Sequence, residues 1–404
     1  MTEAFCILIH YHEIALKGKN RSWFERRLIK NIKRQLSGLP FTKVQLNAAR
    51  IFCFGIDESM WNDYAQRLKK VMGIKHAILM TQVKDDIDTI KSVAAAQLKG
   101  LEFSSFRVSA RRQYKDFHLS SQEINIMVGQ HLQSTYLKPV KLKNADMDVV
   151  IELVKGMAYI GHERIYGFGG LPVKTSEQAI SMISSGIDSP VSSFEMLKRG
   201  VELTYVHFHS APATSRQSIQ NVEEILTVLA GFQIQCRVYM VPLLEIQQKI
   251  MAVAPNKLWV ILFRRAMIKI ASMIAEQLDI PALISGESVG QVASQTLSNI
   301  RATADAADRP ILRPLAGLNK EDIIRIAEKI GTYEISIEPY DDCCSFFVPI
   351  HPETKADLEI VRKTEANIDF GEMFATALKD AEIKTFEHPD YVRKSINRLE
   401  KVSD

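Results

Sequence analysis

The strongest constraint on the fold is a short polar stretch between two apolar segments. The apolar run 179–183 predicts a strand, Ser184-Ser185-Gly186-Ile187-Asp188-Ser189 predicts a tight turn, and Pro190 to Gly200 have the pattern of a helix. In such a unit the free N–H groups of the first helical turn and the positive end of the helix dipole point at one spot. The stretch therefore predicts an anion site. An ordinary turn with Ser and Asp as caps is the alternative.

The residues of this turn exclude two common phosphate loops and resemble a third. No Gly-Lys-Ser/Thr follows, and the dinucleotide glycine spacing is absent. The turn resembles the Ser-Gly-Gly-x-Asp-Ser loop of the ATP pyrophosphatase (PP-loop) enzymes, which implies a cradle for the pyrophosphate of ATP. Ser185 stands where that family has its second glycine. If the position requires a positive φ, serine costs about 1 kcal/mol or more, so the turn tolerates this or ATP affinity is reduced.

Length and composition indicate a large globular chain. The 404 residues predict two to four domains. No segment approaches the roughly 18–20 apolar residues of a membrane span, and His10, His12 and Glu13 interrupt the first apolar stretch too soon for a signal peptide. The five cysteines form neither a disulfide framework nor a zinc ribbon. We therefore expect a reducing compartment, the cytoplasm, and no membrane association.

Positive charge is concentrated in the first part of the chain. Residues 1–175 contain 27 Lys and Arg against 16 Asp and Glu, a net charge of +11, and the remainder has a net charge of −7. Two runs contain the cations that we assign to RNA binding: Lys17, Lys19 and Arg21 in the first, and Arg107, Arg111, Arg112 and Lys115 in the second. A solvated helix face is the alternative for either run. Two runs in so basic a half favour a nucleic-acid partner.

Hydrophobic periodicity divides the chain into three modules. Residues 1–75 and 76–165 each read as a small α+β unit, and strand-like runs alternate with helices over 177–404, as in a parallel sheet with crossover helices. The Gly-rich stretch within 166–176 interrupts both periods and predicts a hinge.

Six motifs make a resemblance specific to one family. They occur in the order His10 to Arg21, Phe106 to Arg112, Gly169-Gly170-Leu171-Pro172, His207 to Ser210, Ser285 to Thr296, and Asp342-Cys343-Cys344. Together they resemble the tRNA 4-thiouridine synthetase (tRNA sulfurtransferase, ThiI) family over nearly the whole chain. The resemblance implies a ferredoxin-like domain, a THUMP RNA-binding domain and an α/β PP-loop ATPase domain of the adenine-nucleotide α-hydrolase type. Some members have a C-terminal rhodanese domain with a persulfide cysteine. Here no cysteine follows Cys344, so we expect another protein to supply that relay.

The resemblance also implies site residues, carried over to matching positions. Asp188 and Lys320 would act on the phosphates, with Mg²⁺ as a cofactor and no separate protein metal site; a solvated lysine is the alternative for Lys320. Cys343 matches the sulfur acceptor. The adjacent Cys344 could instead attack C4 of the uridine, or resolve the persulfide as a disulfide; a buried cysteine is the alternative for either. The implied nucleotide residues are Met182, Ile183, Ser184, Ser185, Gly186, Ser189, His207, Phe208, Arg264, Gly286 and Gln295.

The expected function is ATP-dependent transfer of sulfur from a protein persulfide to C4 of a uridine in tRNA, through an adenylated uridine. The expected partners are tRNA, a cysteine desulfurase and a sulfur carrier protein of thiamine synthesis, and the expected assembly is a homodimer. Two alternatives stay open at this point: a non-catalytic THUMP RNA-binding protein with a weakened PP-loop, for which Ser185 is the hint, and a small-molecule adenylating enzyme, against which the basic first half argues.

Overall fold

The computed structural model describes residues 4–47, 49–114, 117–154, 156–339, 347 and 352–388. The chain divides into two compact units between Leu171 and Pro172. This division falls within the Gly-rich stretch 166–176.

The first unit alternates strands with amphipathic helices. Its elements are β1 Ala4–Tyr11, α1 Arg21–Gln35, β2 Lys43–Asn47, β3 Arg50–Phe54, α2 Trp61–Lys69, β4 Ile74–Lys84, α3 Ile87–Leu98, β5 Phe106–Arg112, α4 Ser121–Tyr136, β6 Met147–Val154, β7 Met157–Gly161 and β8 Arg164–Tyr166. The side chain of Asp86 accepts from the Thr89 N–H at the start of α3, and Ser120 with Glu123 forms a capping box at the start of α4.

The strands of the first unit, as far as described, form one sheet in the order β2-β3-β1-β4-β7-β6-β5, with β8 paired to β4. β4 is eleven residues long and pairs with β1 on one side and with β7 and β8 on the other. The boundary expected between residues 75 and 76 therefore lies inside a strand that both α+β modules share.

Each face of this sheet buries a different set of side chains. On one face, Ile7 and Ile9 pack with α1 and α2, while Val108 and Ile151 pack in a second cluster with α3 and α4. On the opposite face, Leu8 belongs to a third cluster together with Phe52, Ile78, Met80, Val150 and Tyr159. This alternation follows from the two-residue period of a strand.

The second unit is an α/β domain. Its elements are β9 Gln178–Met182, α5 Asp188–Lys198, β10 Glu202–His209, α6 Gln217–Gln233, β11 Gln235–Pro242, α7 Leu244–Val253, α8 Trp259–Gln277, β12 Leu283–Ile284, α9 Leu297–Ala304, β13 Ile311–Leu312, α10 Lys320–Ile330, α11 Tyr333–Ser336, α12 Leu358–Ala366, α13 Met373–Lys379 and β14 Glu382–Glu387.

The sheet of the second unit has the described order β13-β12-β9-β10-β11-β14. Neighbouring strands from β13 to β11 pair in parallel, and β14 is antiparallel to β11. The parallel sheet expected from the sequence is confirmed. The antiparallel strand β14 is an addition to it.

Helix α8 supplies much of the core of the second unit. Its residues Phe263, Ile270 and Ile274 are fully buried, as are Val206 and Val241 on the strands beside them. Within the described residues, no helix is both long and apolar enough to span a bilayer.

Candidate active site

The site lies where the parallel strands of the second unit end. β9 ends at Met182 and leads through the turn 183–187 into α5, β10 ends at His209, and β12 ends at Ile284. The carboxyl ends of neighbouring parallel strands lie at one edge of the sheet. In open α/β sheets, ligands usually bind in the crevice outside this edge, at the point where the strand order reverses.

The turn after β9 is tied together by serine hydroxyls. The N–H of Ser184 donates to Ser189 Oγ at 2.8 Å, and Ser192 Oγ donates to the carbonyl of Ser285 at 3.0 Å. No side chain caps the start of α5 at Ile187. The first-turn N–H groups of α5 are therefore not occupied by a capping side chain, as an anion site requires.

Ser185 does not have the conformation that would penalise it. No residue of the turn 184–187 has a positive φ, so the cost considered for serine in place of glycine does not arise. Ser185 is 1% exposed, and its hydroxyl has no hydrogen-bond partner among the described residues.

Gly286 is required by close packing. A Cβ on this residue would lie 2.8 Å from the backbone N of Ser189 and 3.0 Å from the carbonyl carbon of Asp188. Any side chain here would push the turn after β12 away from the start of α5. The glycine thus lets two strand-end segments form one wall.

Asp188, the first residue of α5, is held by two side chains from distant parts of the sequence. Lys320 Nζ lies 2.8 Å from Asp188 Oδ1, and Gln291 Nε2 donates to Asp188 Oδ2 at 3.0 Å. Lys320 is the first residue of α10, which begins after the cap of Asn319. Lys320 is thus an exposed lysine in the first turn of α10 that is also paired with a carboxylate at the start of α5.

A second charged group surrounds Glu287. Its Oε1 accepts from Arg264 Nη1 at 2.7 Å, and its Oε2 accepts from Arg313 Nε at 2.6 Å. Two guanidinium groups meet one carboxylate, so the group as a whole carries a net positive charge, and the donors of Arg264 other than Nη1 can bind an anionic ligand.

His207 is buried and neutral. Its Nδ1 lies 3.0 Å from the carbonyl oxygen of Ile183, so Nδ1 carries the proton and donates. Burial lowers the pKa of His207 to about 4. The imidazole therefore ties the end of β10 to the turn after β9 without adding charge.

A cavity of about 430 Å³ lies between these groups, within the usual range for small-molecule sites. Every expected nucleotide residue except Ser185 lines the cavity, and so does Asp188. Lys320 is not part of the lining, but it contacts the lining residue Asp188. Part of its wall is apolar, made by Met267, Ile268, Val292 and Ile311.

Several residues of the site were not predicted. They are the lining residues Met267, Ile268, Ser285, Glu287, Val292 and Ile311, and beside them Gln291 and Arg313. Glu287 and Gln291 stand in the motif from Ser285 to Thr296, so their sequence position was a usable signal. Arg313 follows the two-residue strand β13, and nothing in its sequence context marks it.

The predicted sulfur acceptors Cys343 and Cys344 lie outside the described residues, as does Lys115. The described cysteines are Cys6, Cys53 and Cys236, and all are buried. Burial raises the pKa of Cys53 and of Cys236 to about 12, and that of Cys6 still further above its ordinary value. These three thiols are therefore poor thiolate nucleophiles.

The expected RNA-contacting residues of β5 fall on two faces of the sheet. Arg107 and Arg111 are on the face away from α4, where Arg107 Nη2 lies 2.6 Å from Asp148 Oδ2 and Arg111 is exposed. Arg112 is on the other face and donates from Nη1 to the carbonyl of Phe117 at 3.0 Å. The sequence grouped three arginines that the pleat of the strand separates.

In the first basic run, Lys19 is exposed but its neighbours make intramolecular contacts. Arg21 Nε lies 2.8 Å from Glu25 Oε1, and Lys17 Nζ lies 5.1 Å from the centre of the Phe24 ring. Lys17 and Arg21 thus also stabilise the start of α1.

Two histidines lie close to Arg111, one on β1 and one on β4. The rings of His10 and His76 stack with centroids 4.4 Å apart. Burial, with nearby cationic groups, lowers the pKa of His10 to about 3 and that of His76 to about 4. Both are neutral at pH 7, so arginines such as Arg111 supply the positive charge beside them.

Fold and site define a class of protein: a PP-loop-like α/β domain preceded by ferredoxin-like and THUMP domains. Three family models match in this arrangement: "ThiI ferredoxin-like domain" over residues 6–77, "THUMP domain" over 84–163, and "Thiamine biosynthesis protein (ThiI)" over 174–370. The chain belongs to the tRNA sulfurtransferase (ThiI) family, as its relatives establish.

Two relatives named "Probable tRNA sulfurtransferase" match over nearly their full length. The one from Thermus thermophilus is 38% identical over 387 residues, 96% of this chain and 95% of that protein. The one from Moorella thermoacetica is 40% identical over 382 residues, 94% of this chain and 97% of that protein.

Solved structures agree with this assignment. A crystal structure of a 4-thiouridine synthetase–RNA complex with bound ATP is 35% identical, has a TM-score of 0.86, and covers 95% of this chain and 100% of that chain. The structure of PH1313 from Pyrococcus horikoshii Ot3, with a TM-score of 0.61 and 24% identity, covers 81% of this chain and 99% of that chain and shares the fold.

Proposed function

We propose that the cavity of the second unit binds ATP, and that the chain uses it to activate the C4 oxygen of a uridine in tRNA for replacement by sulfur. The observation that carries the proposal is the convergence of Asp188, Lys320 and Arg264 on one cavity at the start of α5. A similar 4-thiouridine synthetase has been solved with RNA and bound ATP, which supports it.

The cavity has two regions that suit the two ends of ATP. Met182, Ile183, His207 and Phe208 surround the adenine, against an apolar wall. The turn 184–189 and the N–H groups at the start of α5 hold the phosphates, with Arg264 adding positive charge. Gly286 and Gln295 complete the nucleotide site.

Activation makes a poor leaving group a good one. The C4 oxygen attacks the α-phosphorus of ATP, a new P–O bond forms, and pyrophosphate departs with the electron pair of the broken bond. Lys320 neutralises charge on the phosphates in the transition state. Asp188 holds the Lys320 ammonium group in place until the phosphates arrive.

A magnesium ion fits this site only together with ATP. The described residues contain no cluster of three or more His, Cys, Asp or Glu side chains that could hold a metal. Of the two carboxylates in the cavity wall, Glu287 is held by two arginines, whereas Asp188 is held by one cation, Lys320, and by the neutral amide of Gln291, so Asp188 is the carboxylate that would bind the ion. One carboxylate plus substrate phosphates is a usual set for Mg²⁺, which would supply charge neutralisation.

Sulfur transfer uses the vicinal pair outside the described residues. A persulfide on Cys343 attacks C4 through its terminal sulfur, and AMP leaves with the original oxygen. Cys344 then attacks Cys343 Sγ, which releases 4-thiouridine and leaves a disulfide that a thiol reductant must reduce. The burial of the other three cysteines supports this choice. The alternative is that Cys344 carries the persulfide.

The remaining partners follow from this chemistry. The first unit binds tRNA through exposed cations such as Lys19 and Arg111. A cysteine desulfurase donates the persulfide, and a sulfur carrier protein of thiamine synthesis is a second acceptor. The enzyme acts as a homodimer in the cytoplasm.

The deciding experiment measures AMP and 4-thiouridine with and without tRNA, using a cysteine desulfurase and cysteine as sulfur source. We expect AMP release that depends on tRNA and matches thiouridine formation. A non-catalytic RNA-binding protein would bind tRNA and release no AMP, and a small-molecule adenylating enzyme would release AMP without tRNA when given its substrate.

A further inference from the structure

The carboxylate of Glu287 joins an arginine in the cavity wall to an arginine outside the lining. Glu287 is 8% exposed, and its two oxygens accept from Arg264 and Arg313 at 2.7 and 2.6 Å. Arg264 is on α8, Glu287 follows β12, and Arg313 follows β13. Three separate segments therefore meet in one charged group.

Geometry distinguishes the roles of the two arginines. Arg264 lines the cavity, whereas Arg313 contacts Glu287 from outside the lining. A guanidinium group has five N–H donors, and Glu287 engages only Nη1 of Arg264, so further donors of this side chain can meet an anion. A long arginine side chain samples many rotamers unless a partner restricts it.

We propose that Glu287 and Arg313 are positioning residues for nucleotide binding: Arg313 orients the Glu287 carboxylate, and the carboxylate holds the Arg264 guanidinium toward the phosphates of ATP. This inference rests on the proposed ATP site. Without the charge of the Glu287 carboxylate, the Arg264 side chain would sample more rotamers in the ATP-free protein. Ordering that side chain when ATP binds would then consume part of the free energy of ATP binding.

The chain contains a matched control: a carboxylate on α12 whose cationic partners are on α8, the helix of Arg264. Glu365 is also a mostly buried carboxylate with two cations: its Oε2 lies 2.7 Å from Arg265 Nη2, and its Oε1 lies 2.9 Å from Lys269 Nζ. Neither Glu365 nor its partners line the nucleotide cavity. Glu365→Gln therefore reproduces the loss of a paired carboxylate beside α8 without touching Arg264.

The test is a double-mutant cycle on the full-length protein, with the Kd for ATP measured by calorimetry and the KM for ATP measured by AMP release with tRNA. We expect Glu287→Gln to raise both constants about tenfold, the usual size of one charge-assisted contact, while kcat at saturating ATP changes little. In an Arg264→Ala background, Glu287→Gln should have no further effect. Arg313→Gln should act in the same direction, with recovery in Arg313→Lys.

Each other outcome has a defined meaning. If Glu287→Gln weakens ATP binding by the same factor without Arg264, or if Glu365→Gln weakens it equally, the positioning role is overturned. If Glu287→Gln does not fold, the comparison of Arg313→Gln with Arg313→Lys decides in its place. ATP binding by the wild type without AMP release would overturn the proposed function alone, because the cycle in Kd still reports on Arg264. No ATP binding at all would overturn both.

Discussion

Lys320 Nζ lies 2.8 Å from Asp188 Oδ1, although 132 residues separate them in the chain. The pair joins the first residues of α5 and α10. It brings the principal cation and the principal carboxylate of the proposed reaction into direct contact.

Replacing this carboxylate should separate the two activities of the chain. We expect Asp188→Asn to lower AMP release by about a hundredfold or more. A neutral amide would neither hold the Lys320 ammonium group by charge nor bind the Mg²⁺ ion that would neutralise the ATP phosphates. Affinity for tRNA, measured by filter binding, should stay within about twofold, since the proposed tRNA-binding cations, such as Lys19 and Arg111, belong to the first unit and are unchanged. Equal loss of both activities would contradict the division of labour between the units.

Ser185 should tolerate substitution. Its backbone does not require glycine and its hydroxyl has no partner among the described residues, so Ser185→Ala removes an unsatisfied buried group. We expect the KM for ATP to stay within about twofold and the melting temperature to be equal or higher. A large rise in KM would show that the hydroxyl acts on the nucleotide.

Neighbouring arginines of β5 should behave differently. Because phosphate contacts release counterions, log K for tRNA should fall by about 0.7–0.9 per contact for each tenfold rise in salt. Arg111→Ala should reduce this slope by about one contact. Arg112→Ala should leave the slope unchanged and lower stability, since Arg112 bonds to the carbonyl of Phe117. The reverse pattern would place the RNA on the helical face.

The vicinal cysteines should separate activation from sulfur transfer. Cys343→Ser should release AMP in the presence of tRNA but form no 4-thiouridine with the enzymatic donor. Cys344→Ser should transfer one equivalent of sulfur to C4 and then stop with the tRNA disulfide-linked to Cys343, from which an added thiol reductant releases 4-thiouridine. Cys236→Ser serves as the control, because this buried thiol should be dispensable for transfer. If Cys344→Ser is the inactive variant instead, the two assignments are exchanged.

Stability of the second unit should fall on mild acidification. The pKa of His207 is lowered from 6.5 to about 4, so the unfolded chain binds a proton that the folded chain does not as pH falls through this interval. His207 thus contributes stability that is fully present above pH 6.5 and is lost toward pH 4. Between pH 7 and pH 5 we expect a loss on the order of 2 kcal/mol in denaturant unfolding. His207→Gln should flatten this dependence, whatever its effect at pH 7.

Local patterns predicted the elements that meet at the site, but long-range pairing determined the rest of it. The turn 184–189 was predicted because small polar residues follow an apolar strand, whereas the motif from Ser285 to Thr296 was identified through the resemblance to the family. Arg313 was not predicted, because its place depends on the pairing of β12 with β13, which involves two residues of each. The sharing of β4 between the two α+β modules was missed for a similar reason, because the sequence of a strand does not show how many strands pair with it.

The antiparallel strand β14 has a consequence for how the protein is made. It pairs with β11 from Gln235↔Glu387 to Met240↔Glu382, and Lys384 Nζ lies 2.8 Å from Glu223 Oε1 of α6. During synthesis, β11 leaves the ribosome about 140 residues before its partner, at roughly 5–20 residues per second. For that interval its open edge can pair with other chains. A protein truncated before residue 382 should therefore aggregate during expression, even though every residue of the nucleotide cavity is present.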